Sequence, residues 1–149
     1  MRKFDEFDCW HAAIGQFVKE PFRRDNIGEH LLSFWITYGF HIARALNGDH
    51  LLTDVFRYLL PPYTGKTLTL YRGEAVERHV KCEYGPSWTP RLEVARMFAA
   101  RRNDEGGGVV LEIDASPEMI VAYVGGHTEY IGESEYFIDT RLIKVVRTV

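Results

Sequence analysis

The spacing of apolar residues changes at Pro61-Pro62, and this change limits the folds open to the chain. Before the two prolines, apolar residues recur at steps of three and four, as one face of a helix requires; the longest series is Leu31, Leu32, Trp35, Ile36, Tyr38, Ile42 and Leu46. A shorter helix that carries Phe4, Phe7, Ile14 and Phe17 is predicted to end near Pro21, and another begins at Asp49 or Thr53 and runs to Leu60. The prolines end this helical part.

After Pro62 the pattern favours strands. Alternating or β-branched runs predict strands over residues 67–71, 109–113, 120–124, 136–138 and 142–146. One helix interrupts them over residues 91–101, with Thr89 as its N-cap and Pro90 as its first residue. Helices first and strands later, without alternation, predict an α+β fold. We expect a single domain over residues 1–149, with the helical lead-in 1–62 packed on a curved, mostly antiparallel two-sheet core, 63–149.

Composition narrows the class of protein. Apolar residues make up 46% of the chain and charged residues 26%, as in soluble globular proteins. The formal charge of −3 argues against a dedicated nucleic-acid partner. No apolar stretch approaches the roughly 20 residues that span a bilayer, and the charged N-terminus lacks the apolar region of a signal peptide. Two distant cysteines, Cys9 and Cys82, favour reduced thiols and a cytoplasmic location.

Two familiar site types are excluded by spacing. Gly65-Lys66-Thr67 resembles the end of a phosphate-binding P-loop, but Leu60 stands where that motif needs a glycine, and a strand follows where a helix is required. The six histidines lack the paired spacing of metal ligands, so we expect no metal.

Three short polar motifs carry the candidate chemistry. Alternation places Leu68, Leu70 and Arg72 on one strand face, and an arginine that ends an apolar face needs an anion, either a carboxylate in the chain or a bound phosphate. Gly73 then permits a close approach of a ligand to the backbone. Ser87 lies two residues before Thr89, so it can project toward a site even if Thr89 caps a helix.

The third motif is a pair of carboxylates. Glu133 and Glu135 share a face of an extended chain, with Cα atoms roughly 6.5–7 Å apart. They belong either to a solvated edge strand or to a site where one orients a hydroxyl and the other takes a proton.

In their order, spacing and strand context, these motifs resemble the toxin-type mono-ADP-ribosyltransferases of the Arg–Ser–Glu class, over residues 67–146. The resemblance implies that NAD is the substrate. Arg72 would bind the NAD phosphates and the backbone of Gly73 its nicotinamide amide. Ser87 would orient Glu135, which would hold the ribose 2′-hydroxyl and stabilise the oxocarbenium-like transition state. Glu133 would deprotonate the acceptor.

The same resemblance assigns further positions. Thr89 would lie in the NAD site, and Arg101 or Arg102 would supply a second cation from a loop over the phosphates, residues 101–108. Residues 125–132, with Glu129 and Tyr130, would recognise the target.

The expected activity is transfer of ADP-ribose to a protein arginine. An NAD glycohydrolase and a non-catalytic interaction module on the same fold are the alternatives. The resemblance suits a toxin, a delivered effector or a phage protein. Its partners would be a target protein and an antitoxin or immunity protein. The protein would act in the cytoplasm, either of its own cell or of a target cell.

Overall fold

The computed structural model describes residues 30, 32, 35, 50–102, 106–124 and 134–149. By its internal contacts the chain divides into two compact units, residues 1–62 and 63–149. In the first unit, α1 spans His50–Leu59 and buries one face, formed by Leu52, Val55, Phe56 and Leu59. The predicted helix that ends near Pro21 lies outside the described residues, as does most of the series from Leu31 to Leu46.

The described residues of the second unit form two antiparallel sheets of three strands each. In the first sheet the order is β1 (Leu68–Ala75), β3 (Gly108–Ala115) and β6 (Arg147–Thr148); in the second it is β2 (Ser87–Trp88), β5 (Tyr136–Ile138) and β4 (Ile120–Tyr123). Two helices, α2 (Val76–Val80) and α3 (Leu92–Ala100), and a 3-10 helix (Thr140–Leu142) connect the strands. An α+β chain with antiparallel sheets is therefore confirmed.

The main core joins apolar side chains from both sheets. It includes Leu70 of β1, Trp88 of β2, Leu111 and Ile113 of β3, Ile120 of β4 and Ile138 of β5. The opposite face of the first sheet is covered by α3, where Ala95 and Ala99 pack against Val110. Burial of this apolar surface supplies most of the stability of the unit.

Two glycines let α3 approach the sheet. A Cβ on Gly73 would lie 2.9 Å from the carbonyl carbon of Phe98, and one on Gly108 would lie 2.8 Å from the Cα of Ala99. Both contacts are with helix backbone, which cannot yield as a flexible side chain would. Packing of α3 against the sheet therefore requires glycine at position 73.

The structure corrects one predicted strand, one predicted N-cap and one predicted strand end. Residues 142–146 form no strand, because the Asp139 carboxylate accepts a hydrogen bond from the backbone N–H of Arg141 (3.2 Å) and begins the 3-10 helix instead. The N-cap of α3 is Arg91, since Thr89 pairs as a strand residue with Tyr71. Strand β1 continues through Ala75, beyond the predicted end at Tyr71.

No helix in the part of the chain that the structure describes is long and apolar enough to cross a membrane. Cys82 is an exposed free thiol, and Cys9 lies outside the described residues.

Candidate functional site

Backbone hydrogen bonds join the two sheets at Tyr71 and Thr89. The backbone N–H of Tyr71 donates to the carbonyl of Thr89 (2.7 Å), and the N–H of Thr89 donates to the carbonyl of Tyr71 (2.9 Å). This pair fixes the edge of β1 beside β2. It therefore brings the strand that carries Arg72 next to the strand that carries Ser87.

Strand register brings Glu135, from the third motif, near the second motif. In the second sheet, Ser87 stands opposite Phe137 and Trp88 opposite Tyr136. Glu135 directly precedes β5, and its carbonyl accepts a hydrogen bond from the N–H of Val124 (2.8 Å). Glu135 is therefore next along the chain to Tyr136, the residue that pairs with Trp88.

Side-chain alternation assigns the faces of the second sheet. Trp88 is 1% exposed in the core between the sheets, so Ser87 and Thr89 point to the other face, which Ser87 shares with its buried partner Phe137. Glu135 lies two residues before Phe137, so a continued ladder would make Glu135 a diagonal neighbour of Ser87 on this face. Both are half-buried.

The backbone is unusual immediately before Glu135. Ser134 has a φ of +42°, in the left-handed region that serine rarely adopts. Such a conformation is maintained only when the surroundings require it, and residues of this kind collect at functional sites. It turns the chain as it enters β5 and so sets the position of the glutamate.

Arg72 has an anionic partner inside the chain. Its Nε donates to Oε2 of Glu74 (2.8 Å), and its Nη1 donates to the backbone carbonyl of Ser87 (2.7 Å). The arginine side chain is 13% exposed and the glutamate side chain is fully buried. Arg72 lies on the same strand face as Leu70, as alternation predicts, and the carboxylate that it needs stands two residues away on that face.

The other oxygen of Glu74 is also engaged. Oε1 accepts a hydrogen bond from the backbone N–H of Ala75 (3.1 Å) and lies 3.9 Å from Nε of Arg78. Burial alone would raise the pKa of Glu74, but the charge and hydrogen bond of Arg72, then Arg78 and the Ala75 N–H, hold that pKa below its ordinary value of 4.5. Glu74 is therefore an ionised carboxylate within the protein.

A turn at Gly85 closes around the guanidinium. The indole N–H of Trp88 donates to the carbonyl of Gly85 (2.9 Å) and ties this turn to the core. A Cβ on Gly85 would overlap Nη2 of Arg72 and lie 2.8 Å from its Cζ. Because position 85 has no side chain, the guanidinium can occupy this space.

Gly73 presents backbone groups to the space between β1 and β2. Alternate residues of a strand direct their N–H and C=O groups to the same edge, so those of Gly73 face the side on which Tyr71 meets Thr89. A continued ladder would pair Gly73 with Ser87, but the Ser87 carbonyl accepts from Arg72 instead. On this side, no described residue makes a hydrogen bond to the N–H or the C=O of Gly73.

The remaining predicted residues stand apart from this cluster or are not described. Arg101 follows α3, with Nη2 3.5 Å from the sulfur of Met97 and its guanidinium over the ring of Phe98, so its contacts are with its own helix. Arg102 follows it at the same helix end and is half-buried. Glu133, Glu129 and Tyr130 lie outside the described residues, as do 103–105 of the predicted phosphate loop and all of 125–132.

Sequence reasoning did not identify Glu74 or Gly85. The signal for Glu74 was present, since Arg72-Gly73-Glu74 on an extended chain puts the two charges on one face. Gly85 carried no such signal, because its contact with Arg72 depends on how β2 approaches β1.

Among the described residues, no group of acidic, histidine or cysteine side chains could hold a metal ion. No protein-family model matches the chain, and neither a curated protein nor a solved structure matches it.

Proposed function

We propose that this protein cleaves NAD and transfers the ADP-ribose to the side chain of an arginine on a protein target, with a core of the ADP-ribosyltransferase type. The observation that carries the proposal is the Tyr71–Thr89 pair together with the β2–β5 register. Three motifs that are distant in sequence become neighbours through these contacts. They supply a cation, a hydroxyl and a carboxylate in the order of the Arg–Ser–Glu class.

Arg72 is proposed to bind the NAD phosphates. A guanidinium has five N–H donors, and Glu74 and the Ser87 carbonyl engage Nε and one N–H of Nη1. No hydrogen bond from a described residue engages Nη2 or the second N–H of Nη1, and we assign these donors to phosphate oxygens. Because arginine recognises phosphate through a planar, paired set of donors, the fixed plane of this guanidinium supports the assignment.

The backbone of Gly73 is proposed to bind the nicotinamide carboxamide. A primary amide needs one donor for its oxygen and one acceptor for its nitrogen, and a strand edge offers both from a single residue. Buried backbone groups require partners. The N–H and C=O of Gly73 fit this requirement, because they face the β2 side beside the Tyr71–Thr89 pair.

Glu135 is proposed to stabilise the transition state. When the bond between the ribose C1′ and the nicotinamide nitrogen breaks, its electron pair leaves with neutral nicotinamide and positive charge develops on the ribose. A half-buried carboxylate stabilises that charge better than a solvated one. Ser87 on the same face orients Glu135. The arginine nitrogen of the target then attacks C1′, and Glu133 takes its proton.

One observation favours a non-catalytic module on the same fold. The charge of Arg72 is already balanced by a buried carboxylate, so this arginine is satisfied without any ligand. In that case the Arg72–Glu74 pair is structural, and the chain binds no NAD. An NAD glycohydrolase differs from the transferase only in its acceptor, water, and therefore in the need for Glu133.

Labelled NAD and a bacterial lysate test these possibilities together. Discrete labelled bands that hydroxylamine releases, produced by the wild type and lost in Glu135→Gln, are expected for arginine transfer. Glu133→Gln should abolish the labelled bands and leave NAD hydrolysis. Glu77→Gln, an exposed carboxylate paired with Lys81 outside the cluster, serves as the matched control. NAD loss without labelled bands would indicate a glycohydrolase, and neither binding nor loss of NAD would indicate the non-catalytic module.

A further inference from the structure

We propose that Glu74 is the positioning residue for Arg72: its carboxylate holds the guanidinium in the plane in which the free donors meet the NAD phosphates. The inference rests on the proposed function and adds a residue to it. Glu74 itself would contact no substrate, because its side chain is fully buried and acts through Arg72.

Two bonds determine the orientation of the guanidinium. Nε is held by Glu74 at 2.8 Å and Nη1 by the Ser87 carbonyl at 2.7 Å. Because the guanidinium is planar and rigid, fixing two of its nitrogens also fixes the third, Nη2. Gly85 lies against the same group and limits its movement on that side.

Glu74 can serve as an anchor because it is itself fixed. The backbone N–H of Ala75 holds Oε1 at 3.1 Å, and Arg78 lies 3.9 Å from the same oxygen. One carboxylate thus links the backbone of β1 to the side chain of Arg72. An exposed glutamate would lose much of this effect to solvent and to rotamer freedom.

Arg147 and Glu112 supply a comparison within the same sheet. Nε of Arg147 lies 2.6 Å from Oε1 of Glu112, a similar contact between an arginine and a glutamate. That arginine is 45% exposed and lies on β6, at the sheet edge opposite β1. Removal of Glu112 therefore deletes a charge and an ion pair from the first sheet without touching the orientation of Arg72.

Glu74→Gln is the decisive variant, and Glu112→Gln is its control. In the wild type and both variants, steady-state kinetics would give kcat and KM for NAD, and inhibition would give constants for ADP-ribose and for nicotinamide. In Glu74→Gln we expect the KM for NAD and the inhibition constant of ADP-ribose to rise about 10–100-fold, because the phosphate contacts lose their geometry. The nicotinamide constant should change by less than about twofold, since that ligand has no phosphate.

A purely structural role would shift the constants of ADP-ribose and nicotinamide together, and that result would overturn the inference. Equal constants in Glu74→Gln and the wild type would also overturn it, while leaving the proposed function intact. If the wild type neither bound nor consumed NAD, that result would contradict the proposed function itself, and the inference about Glu74 would lose its premise. Should Glu74→Gln not fold, Glu74→Asp decides the question: it keeps the buried charge but withdraws the carboxylate by one methylene, so ADP-ribose but not nicotinamide should bind more weakly.

Discussion

The Cα of Gly85 lies against the guanidinium of Arg72, so close that a Cβ at position 85 would stand 2.8 Å from Cζ of the arginine. The turn that carries Gly85 is held by the indole N–H of Trp88 and cannot easily withdraw. Space at this position is therefore a condition for the Arg72 geometry, as is the carboxylate of Glu74.

Gly85→Ala is predicted to displace the guanidinium without altering any charge. We expect the KM for NAD to rise about tenfold or more, with a smaller effect on thermal stability, because the terminal atoms of a side chain can move. Gly65→Ala is the control, since its Cβ would crowd the side chain of Tyr63 instead. An unchanged KM in Gly85→Ala, beside a normal fold, would contradict the assigned role of Arg72.

The sequence predicted the α+β class and most strands because their signals are local. Alternation and β-branched runs marked β3, β4 and β5, and the face of Arg72 followed from the same alternation. The same alternation also predicts the Arg72–Glu74 pair, because it places both residues on one face of β1. The Tyr71–Thr89 pair and the contact at Gly85 depend on the meeting of two sheets, which no local pattern encodes. At residues 142–146, capping by Asp139 overrode a β-branched run.

Gly73→Ala is predicted to destabilise the second unit. Its Cβ would meet the backbone of α3, 2.9 Å from the carbonyl carbon of Phe98, and the helix would have to move away from the sheet. Overpacking of this kind costs about 1–3 kcal/mol of the free energy of unfolding. Urea denaturation followed by tryptophan fluorescence would measure the loss. Thr69→Ala, at an exposed position on the same strand, should change the free energy by less than about 0.5 kcal/mol.

Stability should depend on pH through Glu74. Although burial opposes ionisation, Arg72 first and then Arg78 and the Ala75 N–H hold the pKa of Glu74 below its ordinary value of 4.5. A carboxyl group with a lowered pKa in the folded state contributes its full stability above the unfolded pKa, and loses it as the pH falls through the folded pKa. The free energy of unfolding should therefore decline below about pH 4.5 in the wild type and decline less in Glu74→Gln.

Denaturation curves at neutral pH and at several acidic values would test this dependence. Glu77→Gln is the control: the pKa of Glu77 is also lowered, by its hydrogen bond to Lys81 and the charge of that lysine, but its side chain is exposed. Its removal should leave the acid decline close to that of the wild type. Equal slopes for wild type and Glu74→Gln would mean that folding does not change the pKa of Glu74, and would contradict its lowered value.

Ser87→Ala is predicted to reduce kcat more than it raises KM. Ser87 pairs with Phe137, two residues after Glu135, and its backbone carbonyl, which alanine retains, is the atom that binds Arg72. The substitution therefore removes only the hydroxyl that is proposed to orient Glu135. Loss of one hydrogen bond to a charged group corresponds to about 10–100-fold in kcat.

The control for this variant is Thr69→Val, which removes an exposed hydroxyl that donates to Asp114 (3.2 Å) on the first sheet. It should leave both constants unchanged. Combined with Glu135→Gln, Ser87→Ala should cause little further loss, because an orienting hydroxyl has no function once its carboxylate is gone. Additive losses in the double variant would show that Ser87 acts independently of Glu135, and the oriented-glutamate mechanism would then have to be abandoned.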